Sequence, residues 1–230
     1  MINVILIAPP AAGKGTQAEL LEEKYKIPHI STGDLLRNEQ NKNSKYAKEI
    51  KTAIDKGLFV DDKIVIDLLI NRIKSPDCNY GYILDGFPRN IKQAKLYSNF
   101  LEQNKDIIEI VILINLDKET AKLRINNRLS CSNCGRVYNL MVDELKPIKD
   151  NTCDNCGQML NKRNDDKNET YDIRYNEYIL DTEPIINYYK EKGILYKVDG
   201  NKEIKYISQQ IEDIIDKKAG NICEKEHKKC

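Results

Sequence analysis

The sequence predicts an α/β protein with a five-stranded parallel sheet covered by helices on both faces. Three observations carry that expectation. Short, continuous apolar runs rich in β-branched residues, such as "NVILI", read as strands buried on both sides. Helix-length patterns separate each such run from the next, as βαβ crossovers require. At 230 residues the chain is long enough for one good-sized core with inserted lobes.

In chain order, residues 3–7 form the first strand and residues 13–25 a helix whose apolar side is Ala18, Leu20 and Leu21. "IPHIS" is the second strand. "GYILDG" (81–86), "DIIEIVILINL" (106–116) and "GILYKVDG" (193–200) are the third, fourth and fifth. Helical patterns fill residues 44–56, 61–74, 90–103, 118–129, 172–192 and 203–217. The closing "AGNICEKEHKKC" is polar, charged and aperiodic, and reads as a frayed tail. Cys223, His227 and Cys230 within it form no convincing metal set.

Composition excludes several function classes. The 37 basic residues are matched by 36 acidic ones, against the basic excess of a dedicated nucleic-acid binder. Seven cysteines are too sparse for a small secreted disulfide scaffold. Met1 leads almost directly into a strand, leaving no room for a signal peptide, and no apolar run approaches the roughly 20 residues of a spanning helix. A soluble, intracellular protein without nucleic-acid or membrane partners is expected.

The stretch "VILIAPPAAGKGTQ" approaches a phosphate-binding loop, whose usual form is Gly, four residues, then Gly-Lys-Ser/Thr. Gly13 and Lys14 are in place, Ala8 holds the first glycine's position, and Thr16 supplies a hydroxyl one residue late, after Gly15. The order strand, turn, Gly-Lys, helix aims backbone N–H groups and the helix dipole at an anion, with Lys14 reaching its outer phosphates. An ordinary strand-to-helix turn containing Gly-Lys is the alternative. "STGDLLR" (31–37) follows the second strand, and "DGFPR" (85–89) ends the third, with Gln93 four residues on. Ligands of open parallel sheets bind beyond the strands' carboxyl ends, so all three motifs open onto one edge.

Together these motifs resemble the adenylate kinase family of nucleoside monophosphate kinases, which carries "GKGTQ", "STGD-L-R" and "DGFPR---QA" in the same order. The resemblance runs from Met1 to about Lys217. It implies a P-loop NTPase fold, with a core of residues 1–31, 62–128 and 167–217 and an AMP-binding insertion at 32–61. A lid at 129–166 and a disordered tail at 218–230 complete the chain.

The resemblance also implies roles. Lys14 is the loop lysine and Thr16 the hydroxyl near Mg²⁺, with Ala12, Gly13, Gly15 and Gln17 completing the donor-phosphate loop. Arg37 and Arg89 grip the acceptor phosphate. Thr32 and Gln93 face its adenine, beside Gly86 and the backbone of Leu58, Phe59 and Val60. Asp85 organises Mg²⁺ through water. Arg124 and Arg128 border the donor nucleotide, with Val137, Tyr138 and Lys202 on the same side. Arg163 and Arg174 swing onto the transferring phosphoryl group. Physical chemistry supports this cast, because phosphoryl transfer is catalysed mainly by positioning and by charge placed on developing oxyanions. Arginine suits that task through its permanent charge and bidentate fork. Arg72 and Arg136 read as surface residues, and His29 and Cys78 as packed side chains.

The implied reaction is reversible, Mg²⁺-dependent transfer from ATP to AMP, giving two ADP. "STGD" with Gln93 resembles the AMP-using branch more than the "SAGD" of UMP/CMP kinases. A GTP:AMP phosphotransferase is the alternative enzyme, and it would bring the mitochondrial matrix in place of the cytoplasm. A catalytically impaired nucleotide-binding module is the other alternative. The family is mostly monomeric.

"CSNCG" (131–135) and "CDNCG" (153–157) have the spacing of a four-cysteine zinc site. Each Cys-x-x-Cys turn presents two thiolates, and two such knuckles close a tetrahedron with no open position. Cys131, Cys134, Cys153 and Cys156 are therefore expected to hold a structural Zn²⁺. Paired disulfides or a redox dithiol are the alternatives, and nothing else points to an oxidising compartment. A zinc-ribbon nucleic-acid protein is opposed by the charge balance and by Tyr138 being the ribbon's one aromatic residue.

The phosphate loop departs from the family pattern, since Ala8 and Ala11 replace glycines. An alanine held in a left-handed conformation costs about 1–2 kcal/mol, and an ordinary backbone angle costs nothing. An active enzyme is expected, with donor binding weakened if both positions need a glycine.

Overall fold

The computed structural model describes residues 1–42, 44–55, 58, 60–103, 108–162, 166 and 168–226. The chain opens with β1 (Ile2–Ile7) and passes through the phosphate-loop stretch into α1 (Lys14–Tyr25). Strand β2 (His29–Ser31) runs directly into α2 (Thr32–Gln40), followed by α3 (Ala47–Asp55) and α4 (Asp62–Ile73). Next come β3 (Gly81–Asp85), α5 (Ile91–Glu102), β4 (Ile108–Asn115) and α6 (Lys118–Asn126). Three short strands follow, β5 (Arg128–Cys131), β6 (Val137–Asn139) and β7 (Leu160–Asn161). Helices α7 (Asn168–Glu177) and α8 (Glu183–Glu191) lead to β8 (Leu195–Asp199) and α9 (Ile204–Glu226).

Five strands form the main sheet, in the order β2-β3-β1-β4-β8 and parallel throughout. The strand alternation built into "NVILI" sorts the core. Val4 and Leu6 join Ile110 and Ile112 against α1, α6 and α9 on one face. Ile5 and Ile7 join Leu84 and Val111 against α4, α5 and α8 on the other. All four β1 residues are essentially inaccessible, which explains why the run is apolar without a break. Strands are added on one side of β1 and then on the other, and because all run parallel the loops after β1, β3 and β4 open together at the carboxyl edge.

Caps set most helix starts. Ser31, Asp61, Asn90 and Asp117 each accept a backbone N–H from the first turn of α2, α4, α5 and α6. The helix α2 was not expected from the sequence. "TGDLLRNEQ" offers few apolar positions, and it is the Ser31 cap and packing against α3 that make it helical. The helix expected over 118–129 stops at Asn126, because residues 128–131 pair into the lid sheet.

Two further boundaries move. The helix expected over 172–192 is three segments, with a wider π turn (Tyr178–Thr182) between α7 and α8. Pro184 has no N–H to return to Leu180, and the Glu183 N–H bonds instead to the Tyr178 carbonyl, five residues back. The tail expected to begin at residue 218 is helical to Glu226. Lys217, Lys218 and Ala219 are good helix formers, and the periodicity of α9 carries them along. His227 and Cys230 lie outside the described residues.

The lid forms its own antiparallel sheet, ordered β6-β5-β7. Its buried apolar cluster contains only Leu129, Cys131, Tyr138, Cys153 and Leu160. That is too little to stabilise the segment by burial alone.

Gly81 starts β3 at φ +140°, and a Cβ there would stand 2.1 Å from the Ile2 carbonyl oxygen of the neighbouring strand. Gly81→Ala is expected to lower stability by at least about 2 kcal/mol, read by urea unfolding.

Candidate active site

The phosphate loop is built by the abrupt exit of β1 from the core. Ala8 and Ala12 are 6 % and 2 % exposed and pack with the α1 face of the sheet. The Ala12 N–H closes a turn onto the Pro9 carbonyl at 3.3 Å. Gly13 sits at φ +88°, where α1 begins. The two replaced glycines behave differently. Ala8 has an ordinary backbone angle, whereas Ala11 is held at φ +63° and carries the left-handed penalty of about 1 kcal/mol or more. The Lys14 ammonium curls back over the loop, donating to the Ala8 carbonyl at 3.0 Å and, more weakly, to that of Pro9 at 3.4 Å. Burial pulls its pKa down to about 8. Asp85 opposes the shift, while Arg89, Arg174 and Arg128 add to it.

Asp85 ends β3 beside this lysine. Burial alone would raise its pKa, but His29, Lys14 and Arg89 outweigh burial and hold it below the usual carboxylate range. The His29 Nε2 lies 3.7 Å from Asp85 Oδ2, an ionic contact longer than a hydrogen bond. His29 is thus more than the packed histidine expected from sequence. The start of α1 runs close to the same carboxylate, 3.8 Å from a Cβ built on Gly15.

The acceptor-side residues share one cleft. Lys14, Arg37, Arg89 and Arg174 line it, together with Gly86, Leu58 and Val60. Gly86 turns there at φ +80°, and a Cβ would press to 2.9 Å on Thr32 Oγ1. Thr32 and Gln93 are buried and make hydrogen bonds within the protein. The Thr32 hydroxyl donates to the Gly86 carbonyl at 2.8 Å. Gln93 is 3 % exposed; its Oε1 accepts the Arg89 N–H and its Nε2 donates to Asp62 Oδ1, both at 2.8 Å. Its amide therefore positions Arg89, whose Nε donates to the Gly86 carbonyl at 2.9 Å. Arg37 is held by Asp34 Oδ1, 2.6 Å from its Nη2. Phe59 lies outside the described residues.

On the donor side, Arg128 forms a two-pronged ion pair with the fully buried Asp166. Arg174 Nη1 approaches the same carboxylate at 3.7 Å. One acid thus gathers two of the expected arginines. Arg124 leads into the lid, its carbonyl accepting Asn139 Nδ2 at 2.8 Å. Lys202 occupies the exposed turn between β8 and α9, 4.0 Å from Asp199. Gln17 is buried and donates to the Ile204 carbonyl at 3.0 Å, so its side chain ties α1 to α9. Thr16 follows Gly15 in the first turn of α1, and Val137 opens β6. Arg163 lies outside the described residues.

Sequence reading missed Asp166, Asp62 and Glu177. Glu177 lines the cationic cleft, and burial raises its pKa. Two acids flanked by arginines in "KRNDDKNETYDIR" were the available signal for Asp166.

The four expected cysteines converge in the lid. Their sulfurs lie within 4.8 Å of one another, with Cys131 and Cys156 at 3.4 Å and Cys134 and Cys153 at 3.5 Å. A tetrahedron of 2.3 Å zinc–sulfur bonds has edges of about 3.8 Å, so the donor set fits. The Tyr138 hydroxyl donates to Cys153 Sγ at 3.4 Å, draws that thiol down to about 6, and accepts the Asp154 N–H at 2.7 Å. The Tyr138 side chain thus braces the cysteine knuckle.

The family model for adenylate kinase matches residues 6–194. An adenylate kinase of Archaeoglobus fulgidus is 46 % identical over 216 residues, covering 94 % of this chain and 99 % of that protein. The Kosmotoga olearia adenylate kinase is 43 % identical, covering 91 % and 97 % of the two chains. That of Clostridium tetani is 39 % identical, covering 93 % and 98 %.

The two loop alanines have opposite expected effects. Ala11→Gly relieves strain and raises stability by roughly 0.5–1 kcal/mol, whereas Ala8→Gly removes a buried methyl and lowers it by about 1 kcal/mol. Urea unfolding of the two variants reads both signs.

Proposed function

The chain belongs to the adenylate kinase family, and from that premise we propose the roles of its individual side chains. It is a nucleoside monophosphate kinase that transfers a phosphoryl group from ATP to AMP. The observation that carries the residue assignment is the convergence of Lys14, Arg37, Arg89 and Arg174 on one cleft at the sheet's carboxyl edge.

Arg37 and Arg89 take the AMP phosphate. Gly86, Leu58 and Val60 receive its nucleoside, while Thr32 and Gln93 fix the turn that presents Arg89. Lys14 leaves the Ala8 carbonyl for the donor phosphates, which also meet the backbone N–H groups of Gly13, Gly15 and Thr16. Arg124 and Arg128 border the donor, beside the backbone of Val137 and Tyr138 and the Lys202 turn. Arg174, joined by Arg163 from the lid, stabilises charge on the migrating group. An ionised oxygen of the AMP phosphate attacks the terminal phosphorus of ATP, the bond to ADP breaks, and a second ADP forms. The nucleophile is already ionised, so no general base is needed.

The ionised Asp85, with Thr16 nearby, would hold a nucleotide-bound Mg²⁺, which would supply screening of phosphate charge. The four lid cysteines would hold Zn²⁺, which closes the fold of a segment too small to have its own core. No helix among the described residues is long and apolar enough to cross a membrane. We read the chain as a monomer, as most of its family is, acting on free nucleotides in the cytoplasm.

Purified protein given AMP, Mg²⁺ and either ATP or GTP should form nucleoside diphosphate rapidly with ATP; absence of turnover would overturn the assignment. Donor binding needs the Lys14 ammonium, whose pKa in the empty site is about 8. ATP affinity should therefore be flat below that pH and fall about tenfold per unit above it, until the higher pKa of the complex is reached. Titration of ATP binding from pH 6 to 10 reads this.

One zinc per chain is expected by elemental analysis. Its removal by a strong chelator should expose four titratable thiols and lower the unfolding midpoint by about 10 °C or more.

A further inference from the structure

Next to the cationic cleft, and sharing Tyr178 with it, lies a second cavity of ≈ 570 Å³ whose other lining residues have no assigned part in phosphoryl transfer. Its volume is that of a small-molecule site. Leu113, Leu116 and Pro9 supply an apolar floor where β4 ends. Two tyrosines form one wall: Tyr175 of α7 and Tyr178 of the π turn, with ring centroids 6.1 Å apart. The rim carries Asn115, Glu183, Asn187 and Lys197. None of these four side chains makes a hydrogen bond or ion pair with a described residue, so their polar groups are available to an occupant.

We propose that this cavity is an effector site for an uncharged nucleoside. The two tyrosine rings suit a flat heteroaromatic base. Asn115 and Asn187 each offer a donor pair and an acceptor, which match the mixed edge of a purine. The Glu183 carboxylate accepts from an exocyclic amine or a ribose diol. On the rim the Glu183 carboxylate and the Lys197 ammonium balance. Lys118, 5.1 Å over the Tyr175 ring, is paired with Asp172 at 3.7 Å. No excess cation therefore favours a phosphate, and a nucleoside is selected over the nucleotides of the reaction.

The cavity shares its walls with the catalytic cleft. Tyr178 lines both. Thr182, at the far end of the same π turn, donates to the Arg89 carbonyl at 3.0 Å. Pro9 contributes to the cavity floor while its carbonyl receives the Ala12 N–H of the phosphate loop. The π turn is a point where a helix readily changes its winding. An occupant that braces it holds Arg89 and Arg174 in place before AMP arrives, and so strengthens AMP binding; by linkage, AMP strengthens binding of the occupant.

The probe is adenosine, observed by saturation-transfer NMR on the full chain with AMP and ADP in excess to fill the substrate sites. Adenosine should still bind. Asn187→Leu and Glu183→Gln, both at exposed positions of α8, should each weaken that binding roughly five- to tenfold while leaving turnover without adenosine unchanged. Adenosine should lower the KM for AMP about two- to threefold in the parent protein and leave it unaltered in Asn187→Leu. Loss of the adenosine signal on adding AMP and ADP would show binding in the substrate sites only and overturn the proposal. Equal adenosine binding by the parent and both variants, with unchanged circular dichroism, would overturn it as well. Binding that leaves the KM for AMP untouched would overturn the coupling.

Discussion

Concentrated positive charge is the constraint around which this molecule is arranged. Lys14, Arg89 and Arg174 are close enough for the arginines to depress the pKa of Lys14 and for Arg174 to depress that of Arg89, and burial depresses both pKa values further. Such a site is unfavourable when empty and becomes favourable when polyphosphate enters, which makes it a binding device. The protein limits the penalty with a few well-placed acids. Asp85 stands against Lys14, and Asp166 is fully buried between Arg128 and Arg174. Asp34 holds Arg37, and Glu177 lines the same cleft. Asp34 and Asp166 hold their arginines by direct ion pairs.

The phosphate loop shows how far its glycines can be replaced. At position 8 the backbone is ordinary, and the added methyl belongs to the core. At position 11 the loop keeps a left-handed angle although the residue is alanine, and the strain remains as a local tax on stability. Gly13, at the helix start, keeps the freedom that the turn into α1 requires. The loop therefore keeps left-handed angles at residues 11 and 13 and accepts an alanine at residue 8, where the side chain is buried.

The lid is stabilised by a different principle. Its apolar cluster is small, and its strands are two to four residues long. Four convergent sulfurs, the donor set of a metal site, are joined there by the Tyr138 hydroxyl.

The sequence by itself determined the sheet, the loop and the metal knuckles. Each is encoded by short-range features: unbroken apolar runs, a Gly-Lys at a strand-to-helix turn, and paired Cys-x-x-Cys motifs. Most of the candidate site was legible for the same reason, since its motifs follow directly on strands whose carboxyl ends share an edge. Tertiary structure decided what depends on partners distant in sequence. Gln93 is spent on Asp62 and Arg89, Gln17 on α9, and Asp166 on two arginines at once, because burial forces each polar group to find a partner that spacing cannot name. The π turn at Pro184 and the left-handed Ala11 belong to the same class. A sequence names the residues at such points, but only the packed chain determines the angles they are made to hold.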